Sequence, residues 1–470
     1  MHSYLFHKRL QHGIGQGGFH SAKVTLWVRR DPDAAENFRF DYVYDCGAVS
    51  FGKKSLLMKS IATLCLDSRA DSAGKKVLDA LVLSHYDQDH MVGAKRLTSL
   101  YDVRRIYLPY LSPKELPLIL ASQAERWRPM QIRALHRVAT GGEQLFGVNV
   151  SMVGPTSGEE GPVDLPPDQP FPGGNDPVQE PIDRNRGVQP PTSMAAIAGR
   201  GQAGPDRVLP PNAEVTLGAP GRPLSEAVWT LRFWNRGVKQ DLLDQLSKNL
   251  TKCGFPMAAL DDAKGAGKIV EWLDDPDHKK KAVEAYRKAI NATRPKMSRV
   301  VWESRIANHI SLGVYSGPAN APRGINASYS LRCWDDTDNG ESFWAHPAWW
   351  SRPMNPQGSF RTGWLGTGDA PLGEADVWMD FSQRYRQQLD EVLTVQVPHH
   401  GAAPKGGPAF FHSGLLPIPG LNAVVSAGVT NAYEHPDESV KYAIKMASGL
   451  LHLANELKQP GFEERLELWF

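Results

Sequence analysis

The segment Ser84-His85-Tyr86-Asp87-Gln88-Asp89-His90, directly after the apolar run Leu78-Asp79-Ala80-Leu81-Val82-Leu83, constrains this chain more than any other stretch. A run rich in Leu and Val bounded by polar residues reads as a buried strand. Four side chains able to ligate a metal, His85, Asp87, Asp89 and His90, then crowd together at its end. Imidazole nitrogens and carboxylate oxygens are the donor types that hold zinc, manganese or iron. In an extended segment His85, Asp87 and Asp89 alternate onto one side, and His90 turns in from the start of the next helix. One short loop can thereby serve two adjacent ions. A merely solvated loop has no need of this density of ligand types.

Other strand-like runs end in the same kind of residue. Tyr42-Val43-Tyr44 leads into Asp45-Cys46-Gly47, Trp364-Leu365 into Gly366-Thr367-Gly368-Asp369-Ala370, and Val395-Gln396-Val397 into Pro398-His399-His400-Gly401. Gly15-Gln16-Gly17, Asn308-His309-Ile310-Ser311, and Ser426-Ala427-Gly428 followed by His435-Pro436 complete an ordered series spread over both ends of the chain. On these motifs the chain resembles a metallo-β-lactamase-fold hydrolase, and is similar to the soluble hydrolase domain of ComEC/Rec2-type competence proteins. That branch has Asp where most of the superfamily has a second His, as at Asp87. It usually has Asp after Gly-Gln-Gly, where Gly18 stands here.

The resemblance implies an α/β fold, the metallo-β-lactamase αββα sandwich, carrying a large flexible and helical insertion. It also implies a dinuclear site. His85 and Asp87 would bind the first metal, Asp89 and His90 the second, with Asp369 bridging both and His399 completing the second site. Most of the superfamily takes another His from the strand that here contains Asn308 and His309. Neighbours on a strand point to opposite faces, so Asn308 is expected to face the site, with His309 the lesser candidate and Ser311 beside it. His400 is open between ligand, proton donor to the leaving group and orienter of His399. Asp45 is either an anchor of a ligand loop or a plain turn aspartate. His435 is placed at the rim or in a solvated turn. Three carboxylates with three imidazoles suit zinc or manganese, and the sequence does not choose between these two divalent ions.

The implied activity is metal-dependent hydrolysis through a metal-bridged hydroxide. A phosphodiester is the first substrate class, with DNA cleavage leading and a nucleotide next. Thioester or lactone hydrolysis is the alternative, as is a defence or toxin effector released by a protein partner or protease acting on the insertion. Lys plus Arg number 53 against 51 Asp plus Glu, which argues against a nucleic-acid coat over the whole chain and leaves a local basic groove open. Lys279-Lys280-Lys281 and Arg287-Lys288 are basic, but Asp274-Asp275-Pro276-Asp277 precedes them, as on an ordinary solvated helix. Trp334, Trp344, Trp349, Trp350 and Trp364 are dense enough to stack on bases, though packing is the expected use.

No stretch approaches about 18 consecutive apolar residues, and the four cysteines Cys46, Cys65, Cys253 and Cys333 show no paired spacing. Both points suit a cytoplasmic protein without a membrane partner. Residues 1–153 and 299–470 read as the two halves of the catalytic fold. Between them, 154–223 is rich in Pro and Gly and reads as a flexible insertion, and 224–298 as a mainly helical subdomain. A closing helix is expected from Glu438 to about Leu457.

Overall fold

The computed structural model describes residues 2–31, 34–50, 55–64, 70–71, 74–156, 192–193, 195–199, 208–211, 213–218, 228–293, 307–319, 326–334, 342–345, 361–403, 411 and 420–469. Two large sheets dominate. The first runs in the order Val208–Leu209, Val148–Val153, Ile106–Pro109, Ala80–Val82, Ala34–Cys46, Phe19–Asp31, His2–His12, Gly461–Trp469, Asn326–Trp334, Ser342–Ala345. The second runs Ala195–Gly199, Glu214–Gly218, Trp229–Asn235, Leu312–Pro318, Gly363–Gly366, Val392–Gln396, Asn422–Ser426, Leu450–Ala454.

Alternation along the strands decides how these sheets stack. Phe38, Phe40, Tyr42 and Tyr44 face one core together with Trp229, Leu231, Phe233, Leu312, Val314 and Trp364 of the other sheet. The sheets therefore pack face to face. Val43, on the opposite side of its strand, joins a second core under the helices Leu56–Ala62, Ala94–Leu100, Leu116–Ser122 and Pro129–Ala139. Trp234, Tyr315 and Leu365 face a third core, covered by the helices Ala375–Arg384 and Glu438–Met446. The result is α/β, in four layers of helix, sheet, sheet and helix. Among the described residues no helix is long and apolar enough to cross a membrane.

The segment 240–293 forms the helices Gln240–Lys252, Ala266–Asp274 and Pro276–Thr293. Leu242, Leu243, Leu246 and Leu250 lie on one helical face and are buried. Pro276 opens the third helix at the position where a missing N–H costs nothing. These helices share the core of the outer layer on the first sheet. They extend that layer instead of building a core of their own.

Two local expectations differ from the structure. The closing helix ends at Met446, and Leu450–Ala454 is a strand parallel to Asn422–Ser426. Leu450, Leu451 and Leu453 fit either period over so short a window, and the open sheet edge decides. Asn308 lies in the 3-10 turn Ala307–Ile310, not on a strand. Within 154–223, residues 157–191, 194, 200–207, 212 and 219–223 lie outside the described residues. The described remainder supplies strands to both sheets, with Val208–Leu209 beside Val148–Val153 and Glu214–Gly218 beside Trp229–Asn235.

The parallel strands set where chemistry can gather. Ala34–Cys46, Ala80–Val82, Ile106–Pro109 and Val148–Val153 are mutually parallel, as are Gly363–Gly366, Val392–Gln396, Asn422–Ser426 and Leu450–Ala454. Loops leaving the carboxyl ends of such strands form the usual binding crevice of α/β sheets. Asp45 is the last residue but one of its strand, and His85, Asp369, His399 and His400 follow the ends of theirs.

Candidate metal centre

Each ligand loop is pinned by its neighbour before any side chain is aimed. The Ser84 N–H and hydroxyl donate to the two oxygens of Asp45 at 2.7 and 2.8 Å. Leu312 N–H donates to Ser84 O, and Tyr44 Oη donates to Leu312 O at 2.8 Å. His399 N–H donates to Gly368 O at 3.0 Å, and Thr367 Oγ1 to Gln396 O at 2.6 Å, joining the two turns of the second sheet. The Asp45-Cys46-Gly47 turn lies so close to the helix start that a Cβ on Gly47 would stand 2.4 Å from His90 N. At Gly18 a Cβ would stand 2.9 Å from both Asp45 Oδ2 and His90 Nδ1. The Asp usual there in the resembled branch has no room in this arrangement.

Three histidines are fixed with the same tautomer. His90 Nδ1 lies 2.8 Å from Asp45 Oδ2, so it donates to the carboxylate. His400 Nδ1 donates to Ser426 O at 2.6 Å. His85 Nδ1 lies 2.8 Å from Ser84 Oγ, whose own proton goes to Asp45, so the ring donates here as well. With the proton held at Nδ1, the lone pair of each neutral ring sits on Nε2. All three Nε2 atoms are buried with no hydrogen-bond partner, and so is Asp369 Oδ1.

These orphaned atoms converge. His85, His90 and Asp369 offer ligand atoms within 4.8 Å of one another, and so do Asp89, His90 and His400. Asp369 stands between the groups, with Oδ1 3.3 Å from His90 Nε2 and 4.0 Å from His400 Nε2, and Oδ2 3.7 Å from His85 Nε2. His400 Nε2 lies 3.6 Å from Asp89 Oδ2. A buried polar atom without a partner is costly, and a cation is the partner that lone pairs of this kind accept. The buried groups His85, His90, Asp369 and His400 are thus able to hold a metal ion.

The other expected residues fall around this centre. Asp87 begins the helix Gln88–Met91 and sits 3.8 Å from His85, outside both groups. His399, which the resemblance places in the second group, is outside it, and His400 stands there instead. His399 Nδ1 is 2.5 Å from Asp369 Oδ2 and 3.0 Å from Asn308 Nδ2. Asn308 thus faces the site. Ser311 is buried. The side chain of His309 lies outside the described residues. His435 has its ring 6.0 Å from that of His399, at the rim. Ser84 carries no motif of its own, yet it joins Asp45 to His85. Its one signal in the sequence is its place between strand and first histidine.

Charges reinforce the arrangement. Burial favours a neutral carboxyl at Asp369, but His399, His90 and His85 outweigh it and hold its pKa well below the usual range. Burial likewise opposes a charge on His90, and Asp369 with Asp45 overcome it, raising that pKa well above the ordinary value, so an ion binding at Nε2 displaces the proton held there. At Asp87 burial wins and the pKa rises; at His85 burial and the neighbouring His90 lower it. The basic helix is paired locally, with Lys280 on Asp277 and Lys288 on Glu284. Trp364 is 2% exposed, stacked on His20 in the core. Trp349 and Trp350, with the side chains of Trp334 and Trp344, lie outside the described residues. No family model matches the chain, and no curated protein matches it.

Proposed function

We propose that the chain is a dinuclear metal-dependent hydrolase of the metallo-β-lactamase fold, ComEC/Rec2-like, that cleaves phosphodiesters, DNA first among them. The observation that carries the reading is the convergence of three tautomer-fixed histidine Nε2 atoms and Asp369 at the carboxyl ends of strands from two sheets. The four-layer order and the agreement of motif order with strand order support the fold assignment.

His90 Nε2 has one lone pair and serves one ion, so Asp89, His90 and His400 would hold one divalent ion and His85 the neighbouring position, with Asp369 within reach of both. Zinc or manganese bound there would polarise a phosphoryl oxygen and acidify a water. The chain's own groups do the positioning. Asp45 and Ser84 keep His85 and His90 presenting Nε2, and Ser426 O does the same for His400. His399 and Asn308 hold Oδ2 of Asp369.

Metal content by mass spectrometry, paired with cleavage of single- and double-stranded DNA in manganese or zinc, tests this. The expected result is about two ions per chain and cleavage that stops with chelator and in Asp369→Ala. Absence of bound metal after supplementation, or cleavage indifferent to both treatments, overturns the reading.

A further inference from the structure

The loop between the strand Asn422–Ser426 and the helix Glu438–Met446 leaves the same sheet edge as His399 and His400. It carries a feature the metal centre does not use. Tyr433 is 55% exposed and Val429 50% exposed, two large apolar groups turned to solvent. The Tyr433 ring lies over the His435 ring with centroids 5.8 Å apart and planes 18° apart. His435 in turn has its ring 6.0 Å from that of His399. A ladder of rings thus climbs from Asp369, through His399 and His435, to an exposed tyrosine.

The loop is stiff. Asn431 Nδ2 donates to Gly428 O at 2.6 Å and to His435 O at 2.8 Å, and its Oδ1 accepts from Tyr433 N and His435 N at 3.2 and 2.8 Å. Glu456 accepts from Val429 N at 3.1 Å, and Asp437 N donates to Gly401 O at 3.0 Å. Ring and metal centre are therefore held in one frame. A group that must stay in place while exposed gains most from such bonding, because binding then orders little that was free.

We propose that Tyr433, backed by His435, is a stacking platform for a nucleobase of the substrate, next to the phosphate that the metal centre receives. This rests on the phosphodiester reading and narrows it to substrates that carry a base beside the scissile bond. Every base offers a π-face, so the platform selects for a base without selecting its sequence. It separates base-bearing phosphates from sugar phosphates and from thioesters.

Two comparisons on the metal-supplemented protein test it. The first is the Kd for thymidine 5′-monophosphate against 2-deoxyribose 5-phosphate, by isothermal titration. The second is the KM for a single-stranded oligonucleotide against an abasic strand of the same length. The wild type is expected to favour the base-bearing ligand by about tenfold, the order of one stacked base. Tyr433→Ala should remove that preference, and Tyr433→Phe should restore it. Equal affinity for the two monophosphates in the wild type, or an unchanged preference in Tyr433→Ala, overturns the platform. Nucleotide preference lost in Tyr433→Ala without any strand cleavage would keep the platform and sink the phosphodiester activity, so the two failures are distinguishable.

Discussion

Asp45, His399 and His400 all adopt positive φ, at 58°, 47° and 55°. A non-glycine residue there costs about 1–3 kcal/mol, and such residues concentrate where a side chain must be aimed. At Asp45 the reversal points the carboxylate back at Ser84 and His90, where it fixes two histidines at once. Replacing an orienting carboxylate of this kind lowers metal affinity by about 10- to 100-fold. Asp45→Asn is expected to do so in competition with a fluorescent chelator, and unchanged affinity would show Asp45 to be a plain turn residue. The paired histidines make a second contrast. His400→Ala should lose metal from the second position, because His400 Nε2 is among the converging atoms. His399→Ala should keep the metal content of the wild type. The opposite pattern would restore His399 as the ligand. The sequence shows Pro-His-His-Gly plainly, but which imidazole enters the centre depends on two backbone inversions that no motif records.

At the scale of the element, strand ends do the work. The strand His2–His12 illustrates a second property of the sheets, their burial of imidazoles. His12 donates or accepts at Ser21 Oγ across the strand pair at 2.8 Å and stacks on Phe19 with centroids 4.1 Å apart. Burial, with Lys8 adding to it, holds its pKa down to about 3 against 6.5 in the unfolded chain. The native state refuses a proton that the unfolded state accepts. Stability from this group is complete above pH 6.5 and falls as the pH drops toward 3. Between pH 6.5 and 5 the loss is about 2 kcal/mol at 1.36 kcal/mol per unit. Urea midpoints at pH 7 and 5 should converge in His12→Gln relative to the wild type, and parallel shifts in both proteins would contradict this. Helices such as Gln240–Lys252 are legible because their apolar residues keep one face. The strand Leu450–Ala454 is not, since its place is given by the neighbouring strand and not by its own pattern.

Over the whole molecule, one buried ion pair ties the ends of the chain to the second sheet. Arg9 Nε donates to Glu464 Oε2 at 2.6 Å, between the adjacent strands His2–His12 and Gly461–Trp469. Glu464 Oε1 accepts from Tyr329 Oη and Thr394 Oγ1 at 2.8 and 2.7 Å, and Arg9 also reaches Thr362 O at 3.1 Å. Removing one member leaves the other charge buried alone, at a cost of about 3–5 kcal/mol. Glu464→Ala should show that loss in denaturant unfolding, and a change below about 1 kcal/mol would mean water already serves Arg9. The sequence by itself determined the α/β class, the separate strand ends bearing Asp45, His85, Asp369 and the histidine pair, and the amphipathic helices, because alternation and periodicity are local properties. Only the tertiary structure decided that His400 and not His399 meets Asp89, that Ser84 couples Asp45 to His85, and that Tyr433 stands at the rim. Those facts depend on which strands neighbour each other across two sheets, and contacts between residues tens to hundreds of positions apart leave no pattern in either segment alone.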